Sequence, residues 1–258
     1  MIAPFGNVDF KTYLLAEILT DCSIAINDVG RTAIYFQTDE WNQRATKLSD
    51  PLFAESSPIK WLFYLLTILP YMWRMNQNLR KWLVYNHRLQ AFNALKYFVL
   101  ASSQVCAIIY YEGKIGSCKY LYYGLKAVGC AYKYFWDLYY DWGLLRGSRR
   151  QKDGQGGHRL LRNELKYPPW FYYISMVYNL FGLYSWAIAI MIAALIQPQK
   201  QDDVLQYYNN IIWITWFEFA LSFIRRTVWV VIRVESEFFN NFEQYRDVVT
   251  IPPIKYEE

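Results

Sequence analysis

Histidine is almost missing from this sequence: His87 and His158 are the only two in 258 residues. Both fall in polar connections, so neither an HExxH helix nor a di-histidine metal site can be built. There is no GxSxG elbow, no Cys–His pairing and no GxGD context for an aspartyl intramembrane protease. An enzyme is therefore not expected, and neither a metal nor a cofactor is implied. Cysteine is also scarce, at Cys22, Cys106, Cys118 and Cys130, without CxxC spacing. The simplest expectation is four free buried thiols, with disulfide pairing left open. No Asn-x-Ser/Thr acceptor occurs. The start, MIAPFGNVDFKTY, lacks the basic region of a cleavable signal peptide. The first hydrophobic stretch then serves as its own insertion signal, or an upstream portion is missing. The glycines of GLLRGSRRQKDGQGG, from Gly143, lack the preceding strand and the GK[ST] of a phosphate-binding loop. A flexible, basic cytoplasmic loop is expected there.

Aromatic residues are abundant instead. They make up 20% of the chain, with 11 Trp and 24 Tyr, and 54% of residues are hydrophobic. Trp and Tyr gather at lipid–water boundaries. The mean hydropathy of −0.02 is modest because Tyr, Trp and charged connections lower it. A membrane crossing needs about 20 mostly apolar residues. Six stretches come close: about 10–36, 58–75 (broken by Pro70), 91–111, 119–142, 169–197 and 207–234. The expected fold is an all-α polytopic bundle of six transmembrane helices, with the lipid bilayer as solvent.

Six crossings place the 74–90 and 143–168 connections on the same side as both termini. These hold Arg74, Arg80, Lys81, Arg88, Arg146, Arg149, Arg150, Lys152, Arg159, Arg162 and Lys166. The opposite connections hold only Arg44, Lys47, Lys60, Lys114, Lys119 and Lys200. The positive-inside rule puts both termini in the cytoplasm. The formal charge of +5 reads as topology, and nucleic acid is not an expected partner.

Charges inside the apolar stretches carry the functional signal. The last stretch contains Glu218, Ser222, Arg225, Arg226, Trp229, Arg233 and Glu237 at three- or four-residue spacing, along one helix face. Each charge at that depth costs several kcal/mol unless it faces a bundle interior or a watery path. The alternative for Arg225 and Arg226 is snorkelling to headgroups. The first stretch carries Glu17, Asp21 and Asp28. The third has Asn93, Lys96 and Tyr97, and the fourth repeats Lys133, Asp137 and Asp141. Arginine's planar fork suits an oxyanion, and interleaved carboxylates allow its release. The same charges could instead lock the bundle through ion pairs.

The runs YKYFWDLYYDWGLL, LLRNELKYPPWFYY and IRRTVWVVIRVESEFFNN, with LLAEILTDCSIAINDVG, LPYMWRMNQNLRKW and NALKY, resemble the EXS domain. That membrane domain is shared by retrovirus-receptor type phosphate exporters, plant root-to-shoot exporters and the fungal Golgi ER-retention protein. The resemblance implies an EXS transmembrane domain over residues 1–253 and a polar tail at 254–258. It implies six helices around a pathway for inorganic phosphate. Lys96, Tyr97, Asp137, Asp141, Trp186, Arg225 and Arg226 would line it, with Glu17 where exporters usually carry Asp and Ser23 at a small polar position. Arg233 joins them from the polar stripe. Two positions depart from the pattern. Leu183 stands where Arg is usual, and Ser222 where Glu is usual, so a lost pair would leave the charge balanced.

Family exporters also carry an SPX domain and further helices, which are absent from this sequence. The chain then resembles a trimmed exporter domain, a fragmentary gene model or the SPX-less Golgi branch. The expected function is phosphate transport or export at the plasma membrane or Golgi. The alternative is retention and sorting of Golgi glycosyltransferases with luminal phosphate recycling. The resemblance also implies a homodimer, with helices outside this region as an alternative source of the contact.

Overall fold

The computed structural model describes residues 10–22, 59–113, 115–145, 160–162, 164–196 and 204–240. The described residues are helical, without strands. Among the described residues seven α-helices follow one another: α1 Phe10–Asp21, α2 Ile59–Tyr85, α3 Leu89–Gly113, α4 Gly116–Trp136, α5 Pro169–Leu183, α6 Ser185–Leu195 and α7 Val204–Asn240. A π-helical turn, Asp137–Asp141, continues α4. Helix α1 packs on α2 and α7, α3 lies between α2 and α4, and α5 joins α4 to α7.

Local chemistry explains several of the boundaries. Helix α2 runs through Pro70 for 27 residues, so the stretch expected to end near 75 continues to Tyr85. Asn86 then turns with φ 54°, in the left-handed region that Asn tolerates. The N–H of His87 reaches back six positions to the carbonyl of Lys81 (3.5 Å) and closes the helix end. The expected 74–90 connection therefore shrinks to a short turn, and Arg74 and Lys81 move into the helix, where both are buried. They do not count as loop charges. Gly143, with φ 65°, ends the helix after the π turn, a conformation that glycine adopts without steric cost. Pro168 and Pro169 open α5, where a missing N–H is harmless.

The fifth expected stretch is not one straight helix. It breaks at Tyr184 (φ −105°, ψ 10°) into α5 and α6, bent by 53°. The Tyr184 hydroxyl donates to the Ala127 carbonyl (2.9 Å) and ties the break to α4. Among the described residues, α3 alone is long and apolar enough to cross a membrane by composition, with α5–α6 as a second candidate if counted together. The six-span expectation is not met on hydropathy alone. The other long helices carry buried charges and many Tyr and Trp, which lower their averages.

Polarity is turned inside out. Glu17, Arg74, Lys96, Asp137 and Arg233 are all at most 1% exposed. Trp61, Phe92, Phe98, Trp170, Trp213, Trp216 and Phe223 stand outside, each more than half exposed. A compact apolar cluster lies at one end, built from Tyr13, Leu138, Trp142, Leu144, Leu161, Tyr172, Met176, Trp229 and Ile232. It anchors the start of the 143–157 loop and the residues just after it, while 146–159 lie outside the described residues. The thiols are free, but only Cys130 is fully buried, and Cys22, Cys106 and Cys118 are partly exposed.

Candidate functional site

Helices α1, α2, α3, α4, α5 and α7 each contribute to one buried polar network. On α1, Glu17 and Asp21 are four residues apart and so share a face. Arg74 Nε donates to Glu17 Oε2 at 2.9 Å, and its Nη1 donates to Gln77 Oε1 at 2.8 Å. The Tyr97 hydroxyl donates to the same Glu17 oxygen. Arg226 Nη1 reaches Glu17 Oε1 at 3.4 Å, and Lys133 Nζ lies 3.9 Å from it.

Asp21 is a second hub. Its Oδ2 accepts from Arg225 Nη2 and from Arg226 Nε (2.5 Å). Its Oδ1 accepts from Lys133 Nζ at 3.1 Å. Arg225 also donates from Nη1 to Asn179 Oδ1 (3.2 Å), and Asn179 Nδ2 passes the contact on to Asp137 Oδ2 (3.1 Å). At the other side of Glu17, the Arg74 guanidinium sits 4.4 Å from the Tyr13 ring centroid. The Tyr13 hydroxyl donates to Asp141 Oδ1 (3.1 Å), and Arg233 joins Asp141 (3.6 Å) to Glu237 (2.8 Å). The contacts run without a gap from Glu237 to Asp137.

Lys96 is buried with its ammonium 4.6 Å from the Tyr97 ring and 5.3 Å from that of Trp136. Glu17, Asp137 and Asp141 lie within its electrostatic reach. Asp137 and Asp141 sit at the two ends of the π turn, closed by the Trp142 N–H to the Asp137 carbonyl (2.8 Å). Single π turns inside helices recur at functional sites.

Such a network is costly to assemble. A buried ion pair contributes little net stability, yet losing one partner costs about 3–5 kcal/mol because the other charge stays buried. The fit is also tight. A Cβ placed on Gly182 would come within 2.6 Å of Arg225 Cδ, so α7 lies against α5 only because position 182 is bare. Arg225 Nε and Arg226 Nη2 are buried donors without a hydrogen-bond partner among the described residues.

Of the residues expected from sequence, Glu17, Lys96, Tyr97, Asp137, Asp141, Arg225, Arg226 and Arg233 meet in this network. Trp186 does not. It stacks on Tyr123 (6.0 Å, 3°), with Lys126 Nζ 4.6 Å from its ring, beyond the break at Tyr184. Ser185 donates to Glu218 at 3.4 Å in the same neighbourhood. Ser23 and Asp28 lie outside the described residues. Arg74, Gln77 and Asn78 were missed, and Arg74 was read as a loop charge. The signal was present: Arg74, Gln77, Asn78 and Lys81 repeat at helical spacing and are all buried. Asn179 was missed as well, and Asp21 and Lys133 were seen as stripes without being joined to the arginines.

The architecture and the network define a helical bundle that stores arginines and carboxylates inside an apolar shell. The EXS family matches residues 1–239, and the chain belongs to that family. It is 26% identical over 252 residues to the SPX and EXS domain-containing protein 1 of Dictyostelium discoideum, covering 95% of this chain and 25% of that protein. It is 26% identical to the rice phosphate transporter PHO1-2, covering 98% of this chain and 28% of the relative. With mouse solute carrier family 53 member 1 it shares 27% identity, covering 99% and 36% respectively. The chain thus spans about a quarter to a third of the length of these relatives.

Proposed function

We propose that this chain is the anion-translocating helix bundle of an EXS-type phosphate transporter, in which Arg225 and Arg226 bind inorganic phosphate. The buried arginine pair between Asp21, Glu17 and Asn179 carries this reading. Two relatives are named phosphate transporters or solute carriers, which supports phosphate as the substrate. The apolar exterior supports a bilayer as the surrounding medium, since soluble monomers rarely expose apolar patches beyond a few hundred Å². Helices α2, α3, α4 and α7 have at least 21 residues each, long enough for a hydrocarbon core of about 30 Å. Six crossings with both termini cytoplasmic remain the preferred arrangement.

The guanidinium pair would take two edges of the phosphate, since planar forks match its oxygens bidentately. Lys96, Tyr97, Asp137 and Asp141 would complete the path, and the carboxylates would weaken retention enough for release. Arg225 Nε and Arg226 Nη2 are buried donors from which an entering oxyanion could accept.

Radiolabelled phosphate flux in proteoliposomes tests it, comparing the full chain with Arg225→Ala/Arg226→Ala. The expected result is flux in the first and none above background in the second. Equal flux in both would remove the arginine pair from the pathway.

A further inference from the structure

Asp21 occupies the position that a bound oxyanion would take. Both arginines and Lys133 point their donors at its two oxygens. A carboxylate and a phosphate offer a guanidinium the same kind of acceptor edge. Glu17, by contrast, is held by Arg74 and Tyr97 as well as by Arg226. The Asp21 side chain is also the more exposed of the two, 15% against 1% for Glu17. It sits on the last residue of α1.

Next to Asp21 lies a cavity of about 240 Å³ between α1 and α7, with mostly apolar walls that include Ile18, Phe219, Phe223 and Val230, and with Asp21 and Arg226 at its edge. That is several times the roughly 30 Å³ that a water occupies in the liquid. Arg226 borders this space, and its buried Nη2 has no hydrogen-bond partner among the described residues. The cavity owes part of its room to Ser222.

We propose that Asp21 is a tethered competitor: it fills the arginine pair when the site is empty and is displaced when an oxyanion arrives at the pair. This rests on the phosphate reading above and adds to it how the site is held closed and how the anion is released. Arriving phosphate takes over the Arg225 and Arg226 donors and leaves Asp21 paired with Lys133. On departure Asp21 swings back, which prevents the anion from being trapped. No covalent step is involved.

Equilibrium binding of radiolabelled inorganic phosphate to the full chain in lipid nanodiscs tests the proposal. Asp21→Asn should lower the half-saturating phosphate concentration about tenfold, the scale of losing one charge-assisted competitor contact. Ser222→Glu keeps Asp21 and adds a second competitor in the cavity, so it should raise that concentration. Combining Asp21→Asn with Ser222→Glu should return affinity toward the wild-type value, which a purely structural role for Asp21 would not produce. Wild-type binding left unchanged or weakened by Asp21→Asn overturns the competitor role and leaves the transport reading standing. Absence of binding in both wild type and Asp21→Asn overturns both. If Asp21→Asn does not fold, Ser222→Glu decides: unchanged or tighter binding overturns the proposal.

Discussion

Glu235 and Asp21 each hold an arginine inside the bundle, and their surroundings differ at almost every other point. Glu235 Oε1 accepts from the Lys166 N–H (2.8 Å) and the Tyr172 hydroxyl (2.5 Å), and pairs with Arg162 Nη2 (2.7 Å). Arg162 in turn donates to the carbonyls of Trp142 (2.7 Å) and Glu164 (2.9 Å). Tyr172 belongs to the apolar cluster with Leu144, Leu161 and Trp229. One cation and two neutral donors thus fasten the end of a connection onto α7. Among the described residues Asp21 takes three cations and no neutral donor, and a cavity adjoins it. Neutral donors and close packing make a carboxylate a fastener. Surplus cations beside open space make it replaceable by another anion.

The difference is sharpest if Glu235 is removed. Glu235→Ala leaves Arg162 buried without its carboxylate and should lower stability by about 3–5 kcal/mol. In detergent, thermal or denaturant unfolding would report this as a large drop. The folded fraction should still bind phosphate with wild-type affinity. A change in phosphate affinity as large as that of Asp21→Asn would erase the distinction between the two carboxylates.

Gly182→Ala probes the opposite region with a smaller expected effect. The new methyl would sit 2.6 Å from Arg225 Cδ, and Arg225 cannot simply swing aside while Asp21 and Asn179 hold its guanidinium. Overpacking of this kind costs about 1–3 kcal/mol. Because the displaced atom belongs to the anion-binding side chain, phosphate affinity should fall along with stability. Loss of stability without loss of affinity would mean that Arg225 is not a ligand.

Much of this division was legible in the sequence, and the failures have identifiable causes. Arg225, Arg226, Arg233 and Glu237 announce a shared face by spacing, and burial follows because lipid cannot solvate them. The all-helical class follows from long apolar runs with few turn signals. Arg74 was misplaced because Pro70 and the charges after it look like the end of a helix, whereas α2 continues to a cap at Asn86 that only a positive φ reveals. The break at Tyr184 was hidden inside a run of uniform hydrophobicity, where periodicity carries no marker for a 53° bend. The meeting of Asp21 with Arg225 and Arg226 joins residues about 200 positions apart. Stripe patterns on single helices show which residues turn inward, but the pairing depends on how α1 docks against α7.

The smallest effect should come from Tyr13, which joins the two ends of the network. Its hydroxyl donates to Asp141, while its ring supports the Arg74 guanidinium at 4.4 Å and lies 5.3 Å from that of Arg233. Tyr13→Phe keeps the ring, hence its contacts with Arg74, Lys81 and Arg233 and the packing with the apolar cluster, and deletes the hydrogen bond to Asp141. The expected cost is about 1 kcal/mol. Asp141 still has Arg233 at 3.6 Å, so the charge is not stranded. Phosphate affinity at the arginine pair should hold, because Glu17 and Arg74 separate Tyr13 from Arg226. Flux is the more informative reading. If the chain of contacts from Glu237 to Asp137 is the route, weakening this joint slows passage without weakening binding. If flux and affinity are both unchanged in Tyr13→Phe, the route does not run past Asp141, and the Arg233 end of the network serves structure as Glu235 does.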